Sequence, residues 1–285
     1  MLALILPSLL ATLLSGATAG LLGSCALRLR LSAIGYAMAH AAFAGAALAF
    51  WLGLPPLPLS FLMALAAAAL LGPVADYTGL PADSVLAILF PLTMALGFLF
   101  IALSPGQALS SPALTLLWGS LLGVGWNDVL VLGAVMAVSA GFLLLFRREV
   151  WATLVEKRLA EEAGIPARPI LWALLFMIGA AVVGSLRLVG GLLIYALLFL
   201  PPSAASQLTL ELRRQFLLAP AFGALSGLAG FGLSFWADLP VGTSIALTAC
   251  GLFLLLALLS PRRKPRLLGL EGRAKPMEEH QPHRP

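Results

Sequence analysis

The chain has 285 residues, 61% of them hydrophobic and only 10% charged, with a formal net charge of +5. Asp, Glu, Lys and Arg are absent from 1–27, 31–75, 84–127, 129–146, 169–186, 188–210, 215–237 and 239–261. A bilayer core about 30 Å thick takes roughly 20 apolar residues per helix, so each run holds one or two spans. A soluble globular protein is excluded, and so is a β-barrel, whose short strands would alternate in polarity.

In chain order, charge and turn residues predict an all-α polytopic membrane protein of about nine helices, eight being the nearest alternative. The expected spans are 4–24, 34–53, 57–75, 85–103, 129–146, 170–186, 188–207, 216–236 and 243–259. The first lacks the basic flank of a secretory signal and reads as a retained span. The second holds His40, with Tyr36 one turn earlier on the same face and the small residues Ala37, Ala41, Gly45 and Ala49 in a neighbouring stripe. An ionisable group inside a membrane is costly and tends to mark a pathway, so His40 is expected to line one. Pro55 and Pro56 separate the second span from the third. The Ser-, Gly- and Pro-rich stretch 104–127 reads as a long loop or a re-entrant segment.

The link 147–168 is the longest internal polar segment. Trp151, Leu154, Val155, Leu159 and Ala163 recur at helical spacing, with charged residues largely on the other face. Gly164 is expected to cap this helix and Pro166 to stop it. Such a helix either lies on the bilayer surface or docks into the groove of a soluble partner. Further on, Pro201 and Pro202 are expected to break the seventh span and free backbone carbonyls for a cavity. The transmembrane domain thus covers 1–261. The tail, 262–285, is too polar and Pro-rich to fold, and its His280 and His283 stand beside Glu278 and Glu279.

Under the positive-inside rule, nine spans put Arg28, Arg30, Arg147, Arg148, Lys157, Arg158, Arg168, Arg213, Arg214 and the tail in the cytoplasm, with the N-terminus outside; only Arg187 lands opposite. These basic residues sit in links and tail, so the net charge calls for no nucleic-acid partner. The carboxylates Asp76, Asp83, Asp128 and Asp238 fall at span ends. The Gly16/Gly20 and Gly223/Gly227 pairs read as helix packing. There is no P-loop pattern, no HExxH, no GxSxG and no relay of intramembrane carboxylates. The chain is therefore expected not to be an enzyme, and any energy source lies in a partner.

Three stretches resemble the zinc and manganese group of metal-ion ABC transporter permeases. Ile34-Gly35-Tyr36-Ala37-Met38-Ala39-His40-Ala41 is similar to that family's Gly-Asp-x-x-Ser-His-Ala segment. Residues 188–205, with Val189-Gly190, Leu192-Leu193, Ala196-Leu197-Leu198 and Pro201, resemble its Val-Gly-x-Leu-Leu-Val-x-Ala-Leu-Leu-x-x-Pro stretch. Glu161-Glu162-Ala163-Gly164-Ile165 stands where the family has its cytoplasmic coupling region. The resemblance implies a type II importer permease in a bacterial inner membrane. It further implies a second copy of the chain, two copies of a P-loop ATPase docked through Leu154, Leu159, Ala163 and Gly164, and an extracytoplasmic metal-binding protein. No tightly bound cofactor is implied; the metal is the cargo. Tyr36 departs from the family, which has Asp there. A phenol keeps its proton at neutral pH and ligates poorly. Keeping imidazole while losing a hard carboxylate tilts the expected cargo toward Zn²⁺ and away from Mn²⁺. The competing readings are a permease for manganese or for a chelated metal, and a secondary transporter or channel with no ATPase.

Overall fold

The structure, a computed structural model, describes residues 2–104, 119, 124–191 and 194–260, without the side chains of residues 2–4 and Arg187. Most of the loop expected at 104–127, the tail at 262–285 and the side chain of Arg187 lie outside the described residues. The helices are α1 (Leu2–Arg28), α2 (Ile34–Leu52), α3 (Pro56–Thr78), α4 (Ala82–Leu103), α5 (Trp126–Leu145), α6 (Arg147–Val155), α7 (Lys157–Glu162), α8 (Ala167–Val189), α9 (Ile194–Leu208), α10 (Leu212–Ala237) and α11 (Val241–Leu259). Eight of them are long and apolar enough to cross a membrane; α9 is shorter.

Helix ends follow local chemistry. Gly53 (φ 69°) and Gly79 (φ 68°) close α2 and α3 in the left-handed region that glycine enters without steric cost. Proline opens α3, with Pro55 and Pro81 standing just before α3 and α4. Two of the span-end carboxylates act as caps. Asp83 accepts hydrogen bonds from the Ser32 hydroxyl (2.6 Å) and the Ala33 N–H (2.9 Å) at the start of α2. Asp128 accepts from the Gly125 N–H (2.9 Å) at the start of α5.

α2 is the most enclosed span, buried along nearly its whole length between α3, α4, α8 and α9. Small residues allow this. A β-carbon on Gly45 would overlap the backbone of Leu59 and Ser60 in α3, and one on Gly97 of α4 would overlap the Phe43 ring. The GxxxG pairs serve the contact between α1 and α10: Gly16 lies backbone to backbone on Gly223, Gly20 on Ala219, and Gly227 on Thr12. Several buried hydroxyls find partners inside the bundle, although those of Ser139 and Ser226 have none among the described residues. Ser15 donates to Ser185 at 2.7 Å, tying α1 to α8, and Thr12 returns its hydroxyl to the Ser8 carbonyl.

The basic ends gather on one face. Arg28, closing α1, donates through Nε and Nη2 to Oε1 of the fully buried Gln215 in α10, at 3.1 and 2.6 Å. Arg147 and Arg213 both stand over the Trp151 ring, 5.5 and 5.6 Å from its centroid. Ser260, after α11, donates to the Gln207 carbonyl near the end of α9.

The seventh crossing differs from expectation. α8 runs on through Val189 and stops at Gly190 (φ 86°). α9 has 15 residues, about 22 Å at 1.5 Å per residue, and is too short for a bilayer core. It starts with Tyr195 beside Gly35 at the head of α2 and ends beside Ser260 on the basic face. α9 is therefore a half-helix confined to that side of the bundle. Pro201 and Pro202 do not break it; helix continues through both, and both are buried. Their missing N–H groups leave the carbonyls of Leu197 and Leu198 without helical donors. The Leu198 carbonyl is taken up by close contact with Gly23 of α1, where a β-carbon would collide with it.

Candidate metal pathway and coupling face

α2 carries Tyr36 and His40 one helical turn apart, as their spacing predicts. His40 is 2% exposed, and its Nδ1 has no hydrogen-bond partner among the described residues. A buried polar nitrogen left unpaired is costly, which makes His40 a candidate for contact with something outside the bundle. The ring meets Phe90 of α4 edge-on at 4.8 Å. Phe90 lies 5.8 Å from Tyr36, Tyr36 stacks on Tyr195 of α9 at 4.3 Å, and Tyr195 leads to Phe199 at 4.8 Å. Five rings, His40, Phe90, Tyr36, Tyr195 and Phe199, thus form one row across α4, α2 and α9. Both tyrosines are half-buried. Among the described residues no three His, Cys, Asp or Glu side chains cluster to hold a metal. The site offers one nitrogen donor, two phenols and several π-faces, which suits brief contact with a cation rather than retention of one.

Sequence reasoning found Tyr36 and His40 but missed Phe90, Tyr195 and Phe199. The four-residue step from Tyr195 to Phe199 was visible, yet only the docking of α9 and α4 against α2 brings these rings together.

On the basic face, the expected single amphipathic helix is two. Glu156, with extended backbone (φ −157°, ψ 108°), divides α6 from α7. The break splits the apolar face. Leu154 is 6% exposed and packs into the chain's own core, so it is not available to a partner's groove, while Val155 and Leu159 are 70% and 63% exposed. Ala163 is exposed, and Gly164 (φ 79°) makes the expected turn ahead of α8. Between α1, α6, α7, α9 and α10 opens a recess of about 700 Å³ that includes Arg28, Glu156, Lys157 and Gln215.

The family model of the ABC 3 transport family matches residues 1–260. The chain belongs to that family. Among its relatives, the manganese transport system membrane protein MntC of Halalkalibacterium halodurans is 28% identical over 90% of this chain and 87% of its own length. The chelated iron transport system membrane protein YfeC of Yersinia pestis is 28% identical over 88% and 84%. Among solved structures, PsaBC from Streptococcus pneumoniae in complex with Fab superposes with a TM-score of 0.82 at 26% identity, covering 94% of this chain and 95% of that one. An inward-facing putative metal-chelate type ABC transporter superposes at 0.71 and 20% identity, which speaks to the fold alone. The ABC 3 membership agrees with the three stretches that suggested it, and it makes this chain a multi-pass transport subunit. At Tyr36, the position where the resembling family segment has Asp, the structure sets an aromatic row.

Proposed function

We propose that this ABC 3 family chain is the membrane-spanning subunit of an ATP-driven bacterial importer for a divalent first-row metal, zinc ahead of manganese. The observation that carries the reading is His40, whose unpaired imidazole nitrogen is buried in the central helix of a transport-family fold with no carboxylate one turn before it. The chain has no P-loop, so hydrolysis falls to a separate ATPase, two copies of which would meet two copies of this permease. Val155 and Leu159 are the exposed apolar residues for that contact, with Ala163 and Gly164 at its edge. An extracytoplasmic binding protein delivers the metal. The basic face is cytoplasmic by the positive-inside rule, which puts the N-terminus outside and the C-terminus inside.

Proteoliposomes holding the chain with its ATPase test this. ATP-dependent uptake of zinc, exceeding that of manganese at equal concentration, is expected. Equal uptake without ATP or without the ATPase would return the chain to the secondary-transporter reading. The aromatic row favours a second reading, passage of a metal wrapped in a small organic ligand whose outer surface stacks on Tyr36 and Tyr195. Uptake of the chelate but not of the free ion would decide for it.

A further inference from the structure

A cavity of about 530 Å³ opens at the basic face between the end of α3, the start of α4, the link from α1 to α2, and the beginnings of α7 and α8. Its volume falls within the range of about 300–1,000 Å³ common for small-molecule sites. Its floor is apolar: Leu31, Leu71 and Leu175 are buried there, and Trp172 forms a wall. Gly72 opposite leaves that indole just enough room, since a β-carbon would stand 3.0 Å from it. Three exposed charged side chains, Asp76, Lys157 and Arg168, complete the lining. Among the described residues Lys157 has a loose ion partner, Glu161 at 4.0 Å. The site thus joins an apolar trough to two cations and one carboxylate at the level where a bilayer's headgroups lie. Anionic and cationic recognition are both present, which is the charge pattern of a zwitterionic headgroup and not of a purely anionic one. Basic pockets between helices on the cytoplasmic side bind the phosphates of lipid headgroups, anionic ones when no carboxylate is present, and an indole is at home at this depth.

We infer that this cavity is a binding site for one phosphatidylethanolamine molecule: Arg168 and Lys157 take its phosphate, Asp76 accepts hydrogen bonds from its ammonium, and acyl carbons lie along Leu71 and Leu175. Phosphatidylcholine presents the same phosphate without an N–H donor, and phosphatidylglycerol adds no cation for Asp76. The test is native mass spectrometry of the full-length chain after delipidation and exposure to equal amounts of the three lipids. The parent should retain phosphatidylethanolamine at least fivefold over either competitor. Arg168→Ala should reduce retention of all three, whereas Asp76→Asn should erase only the preference over phosphatidylcholine. Both positions are exposed, so the variants are expected to fold, which a thermal melt checks. Equal retention of the three lipids by the parent, a preference for phosphatidylglycerol, or unchanged selectivity in Asp76→Asn would each overturn the assignment. So would parental lipid retention in Arg168→Ala with loss of a copurifying ATPase, which would make the cavity a protein dock.

Discussion

Tyr36 and Tyr195 stack at 4.3 Å with their ring planes 22° apart, joining the central span α2 to the half-helix α9. Tyr36 stands where the resembling family segment, Gly-Asp-x-x-Ser-His-Ala, has Asp. If metal passes along α2 as proposed, the Tyr36–Tyr195 contact joins two elements that would have to separate, and so would act as a closure. The phenol rings are half-buried, so each keeps an accessible edge.

Removing one ring should loosen that closure. Tyr195→Ala is expected to raise ATP-independent leak of metal through proteoliposomes several-fold, while Tyr195→Phe, which keeps the stack, should behave as the parent. An aromatic stack of this kind contributes about 0.5–1.5 kcal/mol beyond buried area, enough to shift an open–closed balance about two- to tenfold. Leak unchanged in Tyr195→Ala would mean the stack is packing without a gating role.

A second prediction concerns Gly23. Its α-carbon receives the Leu198 carbonyl that Pro202 leaves without a helical donor. Gly23→Ala places a methyl on that oxygen and should push α9 away from α1. Overpacking costs about 1–3 kcal/mol, so the variant's melting temperature in detergent should drop by several degrees. Cys25→Ala, two residues on in the same buried helix, removes atoms instead of adding them and should cost less. Parental stability in Gly23→Ala would remove the Pro202–Gly23 link.

How far the sequence reveals this architecture depends on what hydropathy can sense. The eight long helices are bounded by charges, glycine caps or prolines, all local signals, and were legible. The half-helix was not, because Gly190 and Gly191 fall within the uncharged run 188–210, and an apolar average cannot register where a chain changes direction. The prolines misled for a related reason. A missing N–H frees a carbonyl wherever it occurs, but whether that ends a helix depends on a neighbour such as Gly23 that only packing supplies. Tyr36 and His40 were legible as a site because four-residue spacing fixes a shared face. The rest of the aromatic row comes from two other helices; the Tyr195–Phe199 spacing is visible in the sequence, but nothing there ties it to Tyr36 or to Phe90. The amphipathic link was legible as helical, but its periodicity could not reveal that Glu156 splits it and turns Leu154 inward.

That split yields a third prediction. Leu159→Glu, at an exposed position, should leave folding and membrane insertion intact while lowering ATP-driven transport at least fivefold and weakening copurification of the ATPase. Leu154→Glu buries an unpaired charge in the core and should instead reduce the amount of folded protein. If Leu159→Glu transports normally, α7 lies on the bilayer or in solvent and the ATPase docks elsewhere, with the recess lined by Arg28 and Gln215 as the next place to test.

The fourth prediction concerns cargo. His40 presents the only side-chain nitrogen donor in the aromatic row, and imidazole binds zinc well, whereas manganese favours carboxylate and water. His40→Ala is expected to cut zinc uptake at least tenfold; relief of an unpaired polar atom offsets part of what losing the ring's contact to Phe90 costs in stability. Tyr36→Asp breaks the stack with Tyr195 and restores an Asp one turn before the histidine. It should move the zinc-to-manganese uptake ratio toward manganese by several-fold, and the double variant Tyr36→Asp with His40→Ala should lose both. The relatives named for manganese and chelated iron make this the sharpest test, since a parent that already prefers manganese would show that a lone imidazole does not set selectivity. Uptake of zinc at the parental rate by His40→Ala would make the histidine a packing residue and move the pathway off the α2–α9 contact altogether.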